Sequence, residues 1–155
     1  PKTIDNDILY CKKTFGFETA FYTAVDAIKA AHVEALGTPY GIGIVKLMGR
    51  DSGFIAANTV LACPDVNIVL IPEVPFTLEG ESGLLKTLEI SLKEKHEQHR
   101  HPHVVIVVAE GAGQYFFEKG NKTDKSGNIR YGDIGLYLKD KIAEYFKNRL
   151  PVNIK

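Results

Sequence analysis

The chain of 155 residues lacks the features that would tie it to a membrane or to a polyanion. Its 19 acidic and 19 basic side chains cancel to a formal net charge of zero, so the composition predicts no nucleic-acid partner and no membrane partner. No apolar run reaches the roughly 18 residues that a membrane span requires. The longest run, near residues 104–109, has the length of a strand.

Cysteine is also scarce. Cys11 and Cys63 form no local pair and fit no metal-ligand spacing, which indicates reduced thiols in a cytoplasmic protein. No signal peptide or transit segment precedes the first polar motif, and the chain opens on Pro1 rather than on methionine. We therefore expect a piece of a longer cytoplasmic protein, in which the Asn121-Lys122-Thr123 glycosylation sequence occurs by chance.

What the chain does have is enough apolar sequence for one globular domain, because 45% of its residues are hydrophobic and 25% are charged. Helical spacing of apolar residues occurs in four segments, near 16–36, 54–62, 84–92 and 133–146. Strand-like apolar runs occur at Ile42–Met48, Val66–Ile71, Val104–Val108 and Val152–Ile154. Continuously apolar strands that alternate with helices predict an α/β fold, in which a three-layer parallel sheet is flanked by helices.

Polar residues indicate where the helices begin and where the chain turns. Ser52 or Asp51 is expected to cap the second helix, Ser82 the third and Asp133 the last. The polar segment 116–131 contains two glycines and several lysines, and it predicts a surface hairpin or loop.

The most informative segment is the polar heptapeptide at residues 1–7, which has two carboxylates two positions apart. If it is extended, Thr3, Asp5 and Asp7 share one face, because side chains alternate along a strand. That face would offer a base, a second acceptor and a hydroxyl to a polyol or sugar. A surface turn that caps the next helix is the alternative, because Asp and Asn compete well for backbone N–H groups.

Two more polar groups follow apolar strands, where ligands bind in an open parallel sheet. Met48-Gly49-Arg50 follows the first strand and leads into a helix, which suits a phosphate ester. Glu110 follows the third strand and suits a sugar hydroxyl. The alternatives are a surface ion pair of Arg50 with Asp51 or Glu73, and a solvated loop position for Glu110.

Taken together, these motifs resemble the 6-phosphofructokinases. The sequences PKTIDND (1–7), KLMGRDSGFIA (46–56) and VVAEGAG (107–113) have the family's order and spacing. Residues 15–20 and 71–73 fit the same pattern, so that the resemblance covers essentially the whole chain. The Lys-Leu-Met-Gly-Arg form resembles the long branch of the family, which includes plant and trypanosome enzymes. The fold implied is a partial phosphofructokinase-type, Rossmann-like domain.

The resemblance implies phosphoryl transfer to the primary hydroxyl of fructose 6-phosphate, which gives fructose 1,6-bisphosphate in glycolysis. Asp5 would be the general base. The remaining substrate contacts that the resemblance implies are Thr3, Ile4, Asp7, Met48, Gly49, Arg50 and Glu110. Residues 1–155 would then be the fructose 6-phosphate-binding portion, without the family's glycine-rich nucleotide and metal segment upstream or its sugar-phosphate contacts downstream.

The phosphoryl donor is left open between ATP and pyrophosphate, with ATP favoured by the plant-like form of the motifs. Lys2 would lie on the donor side, and the resemblance implies Mg²⁺ as a cofactor whose ligands lie outside this chain. It also implies a homo-oligomer, a dimer or tetramer, for the full-length allosteric enzyme. A sugar-phosphate sensor with the same fold but no catalysis is the rival interpretation.

Four of the five histidines fall between His96 and His103. Metal binding is conceivable there, but no recognisable ligand spacing accompanies them. We predict a solvated helix end that leads into the Val104 strand.

Overall fold

The computed structural model describes residues 1–117 and 130–155. The Asn121 sequence therefore lies outside the described residues, as does most of the predicted loop at 116–131. In the described part of the chain, no helix is both long enough and apolar enough to cross a membrane.

The predicted alternation of helices and strands is confirmed. The helices are α1 (Phe17–Leu36), α2 (Phe54–Ala62), α3 (Leu84–Glu97) and α4 (Ile134–Phe146). The strands are β1 (Lys2–Thr3), β2 (Phe15–Gly16), β3 (Gly41–Leu47), β4 (Ile68–Leu70), β5 (His103–Ala109) and β6 (Asn153–Ile154). A short 3-10 helix covers Gln114–Phe116.

The main sheet has the order β4-β5-β3-β6, and each neighbouring pair is parallel. Strands β3 and β5 pair along their full lengths, from Gly41 opposite His103 to Leu47 opposite Ala109. Both strands therefore end at the same level of the same edge. The segments that follow them leave the sheet side by side.

Each face of the sheet carries its own core, which explains why the strands are continuously apolar. Val104, Ile106 and Val108 of β5 belong to a cluster with α3 and α4. Val105 and Val107 belong to the opposite cluster, with α1 and α2. The predicted three-layer architecture is confirmed.

The heptapeptide is not extended throughout, so the condition for a shared face of Thr3, Asp5 and Asp7 through strand alternation is not met. Only Lys2–Thr3 is a strand, and it pairs with β2 in a separate two-stranded parallel sheet. The chain then bends at Ile4 and Asp5, and Asn6 has φ 57°. A residue with a left-handed backbone conformation interrupts the alternation of side chains along a strand.

Of the predicted helix caps, only Asp133 is confirmed, because its carboxylate accepts from the amides of Gly135 and Leu136. The predictions for the second and third helices were wrong, since both start after a glycine without a side-chain cap. The Gly53 amide before α2 donates to Glu73 Oε1 over 2.8 Å. The first amides of α3 donate to the backbone carbonyls of Thr77 and Leu78, which lie earlier in the chain than Ser82.

One buried carboxylate joins α3 to α4. Glu89 is 4% exposed and accepts from Lys93 Nζ over 2.6 Å and from the Tyr145 hydroxyl over 2.8 Å. Lys86 and Arg149 lie 3.4 and 3.9 Å from its Oε2. The hydrogen bonds from Lys93 and Tyr145 lower the pKa of Glu89 from 4.5 to about 2, because they stabilise the ionised form.

Replacing Glu89 by Gln is expected to cost roughly 1–3 kcal/mol of unfolding free energy at neutral pH, because hydrogen bonds to a buried charge are lost. In the original chain this stabilisation is complete above pH 4.5 and disappears as the pH falls through about 2. Urea unfolding between pH 5 and pH 2 would therefore show a smaller acid dependence for Glu89→Gln. Exposed Glu144→Gln is the control, and equal slopes for all three chains would contradict the prediction.

Candidate active site

A short turn holds Asp5 at the start of the chain. The Thr14 hydroxyl donates to the Thr3 carbonyl over 2.6 Å, and the Thr14 amide donates to Asn6 Oδ1 over 2.8 Å. The Asp5 amide donates to Thr3 Oγ1 over 3.3 Å. The side-chain amide of Asn6 thus closes the turn, and the neighbouring Asp5 is half-buried.

The turn is tied to the loop after β3. Ser52 is 5% exposed, and its hydroxyl donates to the Asp5 carbonyl over 3.2 Å. Ser52 does not cap α2 because it lies one residue before Gly53, which occupies the N-cap position. The contact with Asp5 places Arg50 and Asp51 close enough to Asp5 for their charges to act on its carboxylate.

Burial is the main reason that the pKa of Asp5 lies above its ordinary value of 3.8. The negative charges of Asp7 and Asp51 raise the pKa of Asp5 further, while the Arg50 guanidinium lowers it. The carboxylate is therefore a better proton acceptor than an exposed aspartate, and Asp51 and Arg50 act on it with opposite signs.

The two loops that leave β3 and β5 are joined by backbone hydrogen bonds. The Glu110 amide donates to the Leu47 carbonyl and the Gly111 amide donates to the Gly49 carbonyl, both over 2.9 Å. Gly49 has φ 131°, which favours glycine. A Cβ on Gly111 would overlap the Arg50 carbonyl oxygen. Glycine at 111 therefore permits the close approach that brings Arg50 and Glu110 together.

An open cleft of about 440 Å³ lies over these loops. Its lining residues are Lys46, Met48, Arg50, Glu110, Arg130, Tyr131, Gly132 and Asp133. Three of these side chains are cationic and two are anionic, and one cation, Lys46, is paired with Asp133 over 2.9 Å. Arg50 and Arg130 thus contribute cationic groups to the cleft, beside the carboxylate of Glu110.

The structure brings together some of the residues predicted from the sequence but not all of them. Met48, Arg50 and Glu110 line the cleft, as expected from neighbouring strand ends. Ile4 and Met48 share an apolar groove of about 590 Å³ next to it. Lys2 and Asp7 are exposed, and neither belongs to the cleft lining that the described residues form.

The alternatives to ligand binding were a surface ion pair of Arg50 with Asp51 or Glu73 and a solvated loop position for Glu110, and the structure supports them only in part. Arg50 packs with its guanidinium carbon 4.8 Å from the centre of the Tyr131 ring, and Glu73 is engaged by the Gly53 amide. Glu110 is half-buried, and its carbonyl accepts from Gln114 Nε2 over 2.7 Å, so it is not a freely solvated loop residue.

Sequence reasoning missed the residues that approach the cleft from the chain segment before α4. Arg130 and Tyr131 lie about 80 residues after Arg50 and carry no motif of their own. Lys46 offered a weak signal, because it is the one charged residue in an otherwise apolar strand.

The histidine cluster lies at the other end of the strands. His96, His99 and His101 are exposed around the end of α3, and His103 begins β5 with its ring 5.1 Å from that of His32. Burial lowers the pKa of His103. Within residues 1–117 and 130–155, no group of three or more His, Cys, Asp or Glu side chains could hold a metal ion.

Comparison with known sequences identifies the chain's relatives. A sequence profile described as Phosphofructokinase matches residues 1–154. The chain is 57% identical over 148 residues to the "ATP-dependent 6-phosphofructokinase" of Borreliella burgdorferi. This match covers 95% of the chain and 33% of that protein. It is 51% identical over 156 residues to "ATP-dependent 6-phosphofructokinase 5, chloroplastic" of Arabidopsis thaliana, which covers 100% of this chain and 28% of that protein.

The fold is similar to that of solved phosphofructokinases as well. The crystal structure of Pichia pastoris phosphofructokinase in the T-state matches with a TM-score of 0.64 at 22% identity, over 99% of this chain and 14% of that chain. The chain spans about a third of the length of the curated relatives it matches. The profile match across almost every residue and the identities above 50% lead to one conclusion: the chain belongs to the phosphofructokinase family.

Proposed function

We propose that this chain is the fructose 6-phosphate-binding portion of a longer ATP-dependent 6-phosphofructokinase. One observation carries the proposal. The Asp5 turn and the loops after β3 and β5 are joined by hydrogen bonds, so that a carboxylate of raised pKa lies beside a cleft lined by Arg50, Arg130 and Glu110.

In this proposal the 1-hydroxyl of fructose 6-phosphate attacks the terminal phosphorus of the donor. The bond from phosphorus to the new oxygen forms as the bond to the leaving group breaks, and the hydroxyl proton passes to the Asp5 carboxylate. Phosphoryl transfer needs little deprotonation early in the reaction, so a weak carboxylate base suffices when it is well placed.

The remaining proposed roles concern substrate contact. Arg50 would bind the phosphate ester, with Met48 and Gly49 also in contact with the substrate, and Glu110 would bind a sugar hydroxyl from the cleft. Thr3, Ile4 and Asp7 would contact the sugar from the turn side. Lys2 would lie toward the transferring phosphate, although the described structure does not bring it to the cleft.

ATP is the proposed donor, because the names of the two relatives above both specify ATP. The residues that the structure describes contain no group of three or more His, Cys, Asp or Glu side chains that could hold a metal ion. Mg²⁺ is therefore proposed for the full-length enzyme with its ligands outside this chain, as the resemblance implies, and we assign no step to it. A homo-oligomeric, cytoplasmic full-length enzyme remains a prediction from the resemblance.

The proposal is tested by assaying the full-length protein that contains this chain, with fructose 6-phosphate and either ATP or pyrophosphate. Fructose 1,6-bisphosphate formed with ATP supports it, and product with pyrophosphate alone would overturn the choice of donor. Binding of fructose 6-phosphate without product from either donor would favour the sensor interpretation.

The raised pKa of Asp5 leads to a prediction about pH. Activity should be lost on the acid side as the base is protonated, at a pH above the ordinary aspartate value of 3.8. Asp51→Asn removes a negative charge that raises the pKa of Asp5 but keeps an oxygen for the Tyr131 hydroxyl, which lies 3.0 Å from Asp51 Oδ1. The acid limb of the kcat/KM profile, which reports groups of the free enzyme, should therefore move to lower pH.

The matched control for Asp51→Asn is Asp26→Asn on the exposed face of α1, which should leave the acid limb in place. An acid limb that stays unchanged in Asp51→Asn would show that Asp51 does not act on the catalytic base.

A further inference from the structure

The cleft contains an aromatic side chain with no assigned role. Tyr131 is half-buried in the cleft wall, and two separate contacts connect it to the loop after β3. The Arg50 guanidinium carbon lies 4.8 Å from the centre of its ring, within the range of a cation–π interaction. Its hydroxyl donates to Asp51 Oδ1 over 3.0 Å.

The backbone that follows Tyr131 is itself held in place by several contacts. The Gln114 side chain donates to the Gly132 carbonyl over 3.1 Å and accepts from the Gly132 amide over 3.0 Å. The same Gln114 nitrogen donates to the Glu110 carbonyl over 2.7 Å. The next residue, Asp133, is paired with Lys46 of β3 and caps α4. Tyr131 therefore belongs to a segment that is anchored to the ends of both β3 and β5.

A guanidinium on a long flexible side chain loses rotamer freedom when it binds a ligand, and that loss weakens binding. An aromatic face that holds the guanidinium beforehand reduces the loss. The hydroxyl bond to Asp51 fixes the loop that carries Arg50, and the ring supports its side chain.

We propose that Tyr131 is a positioning residue for sugar-phosphate binding, which holds Arg50 in the cleft through its ring and holds the Arg50–Asp51 loop through its hydroxyl. The inference rests on the proposed function, because it assigns Arg50 to the substrate. Tyr131 takes no part in the proton transfer and acts only through Arg50.

The test uses the full-length protein and three variants. Tyr131→Leu removes ring and hydroxyl, and Tyr131→Phe removes only the hydroxyl. Tyr22→Leu, at an exposed tyrosine of α1, is the matched control. We expect Tyr131→Leu to raise the KM for fructose 6-phosphate about three- to tenfold. Its kcat and its KM for ATP should stay within about twofold of the original values. A residue that supports binding equally in the ground state and the transition state affects the KM for its own substrate and not kcat.

Tyr131→Phe should raise the KM by a smaller factor than Tyr131→Leu, because the ring remains over Arg50 while the hydroxyl bond to Asp51 is lost. An unchanged KM for fructose 6-phosphate in Tyr131→Leu would overturn the inference, as would an equal loss for both substrates, which would indicate a general structural effect.

The same experiment distinguishes failure of the proposed function from failure of the inference about Tyr131. If the unmodified protein forms no product, the proposed function fails, and the Kd for fructose 6-phosphate from calorimetry then tests Tyr131 directly. A Kd about three- to tenfold weaker in Tyr131→Leu supports the positioning role without catalysis. An equal Kd in the two proteins, or no binding by the unmodified protein, would overturn it.

Discussion

Replacing Asp5 by Asn in the full-length protein is expected to lower kcat about 10²–10⁴-fold, which is the usual contribution of a positioned general base. The KM for fructose 6-phosphate should change less, by about threefold or less, because asparagine keeps the size of the side chain and an oxygen that accepts hydrogen bonds. The turn should also survive, since the bonds that close it involve Thr14, Asn6 and the backbone of residue 5.

Steady-state kinetics with saturating donor would separate the two effects. Asp26→Asn is the control, because it makes the same chemical change on an exposed helix face. Turnover within about threefold of the original in Asp5→Asn would remove Asp5 from the role of base. A large rise in KM with kcat unchanged would make it a binding residue instead.

Gly111→Ala is expected to have the second largest effect, and it acts without touching a charged side chain. The added methyl group would overlap the Arg50 carbonyl oxygen, so the loop after β3 would have to move away from β5. A displacement of about 1 Å at a binding group can cost on the order of 10² in rate. We therefore expect kcat/KM for fructose 6-phosphate to fall by about 10²-fold. Thermal unfolding should show a loss of roughly 1–3 kcal/mol from overpacking.

Gly37→Ala is the matched control for this substitution. Its Cβ would lie 3.5 and 3.6 Å from the carbonyls of Glu34 and Val33, which is ordinary contact. It should leave kcat/KM unaltered. A folded Gly111→Ala protein with kcat/KM within threefold of the original would show that the close approach of the two loops is not needed for binding.

Much of the fold could be predicted because its determinants are local. Helical and strand periodicity placed β3 within one residue, Ile42–Met48 against the observed Gly41–Leu47. The prediction for β4 was longer than the observed Ile68–Leu70, because this strand is at the sheet edge in the described structure and pairs only with β5. Parallel pairing then explains why Arg50 and Glu110 meet.

The errors occur where distant residues compete with local ones. Ser52 has a good capping side chain, but it lies one residue before the N-cap, and its hydroxyl donates to the Asp5 carbonyl, 47 positions earlier. The Gly53 amide is satisfied by Glu73, 20 positions later. Tyr131 reaches Asp51 across 80 positions. No local pattern encodes such pairs, because they depend on how the loops at one sheet edge are packed together.

The most direct test of the account is the structure of the full-length Asp5→Asn protein with fructose 6-phosphate bound. We expect the 1-hydroxyl within about 3 Å of the side chain at position 5, with the substrate held in the cleft by Arg50 and Glu110. A sugar phosphate bound elsewhere, or one whose 1-hydroxyl points away from position 5, would contradict it.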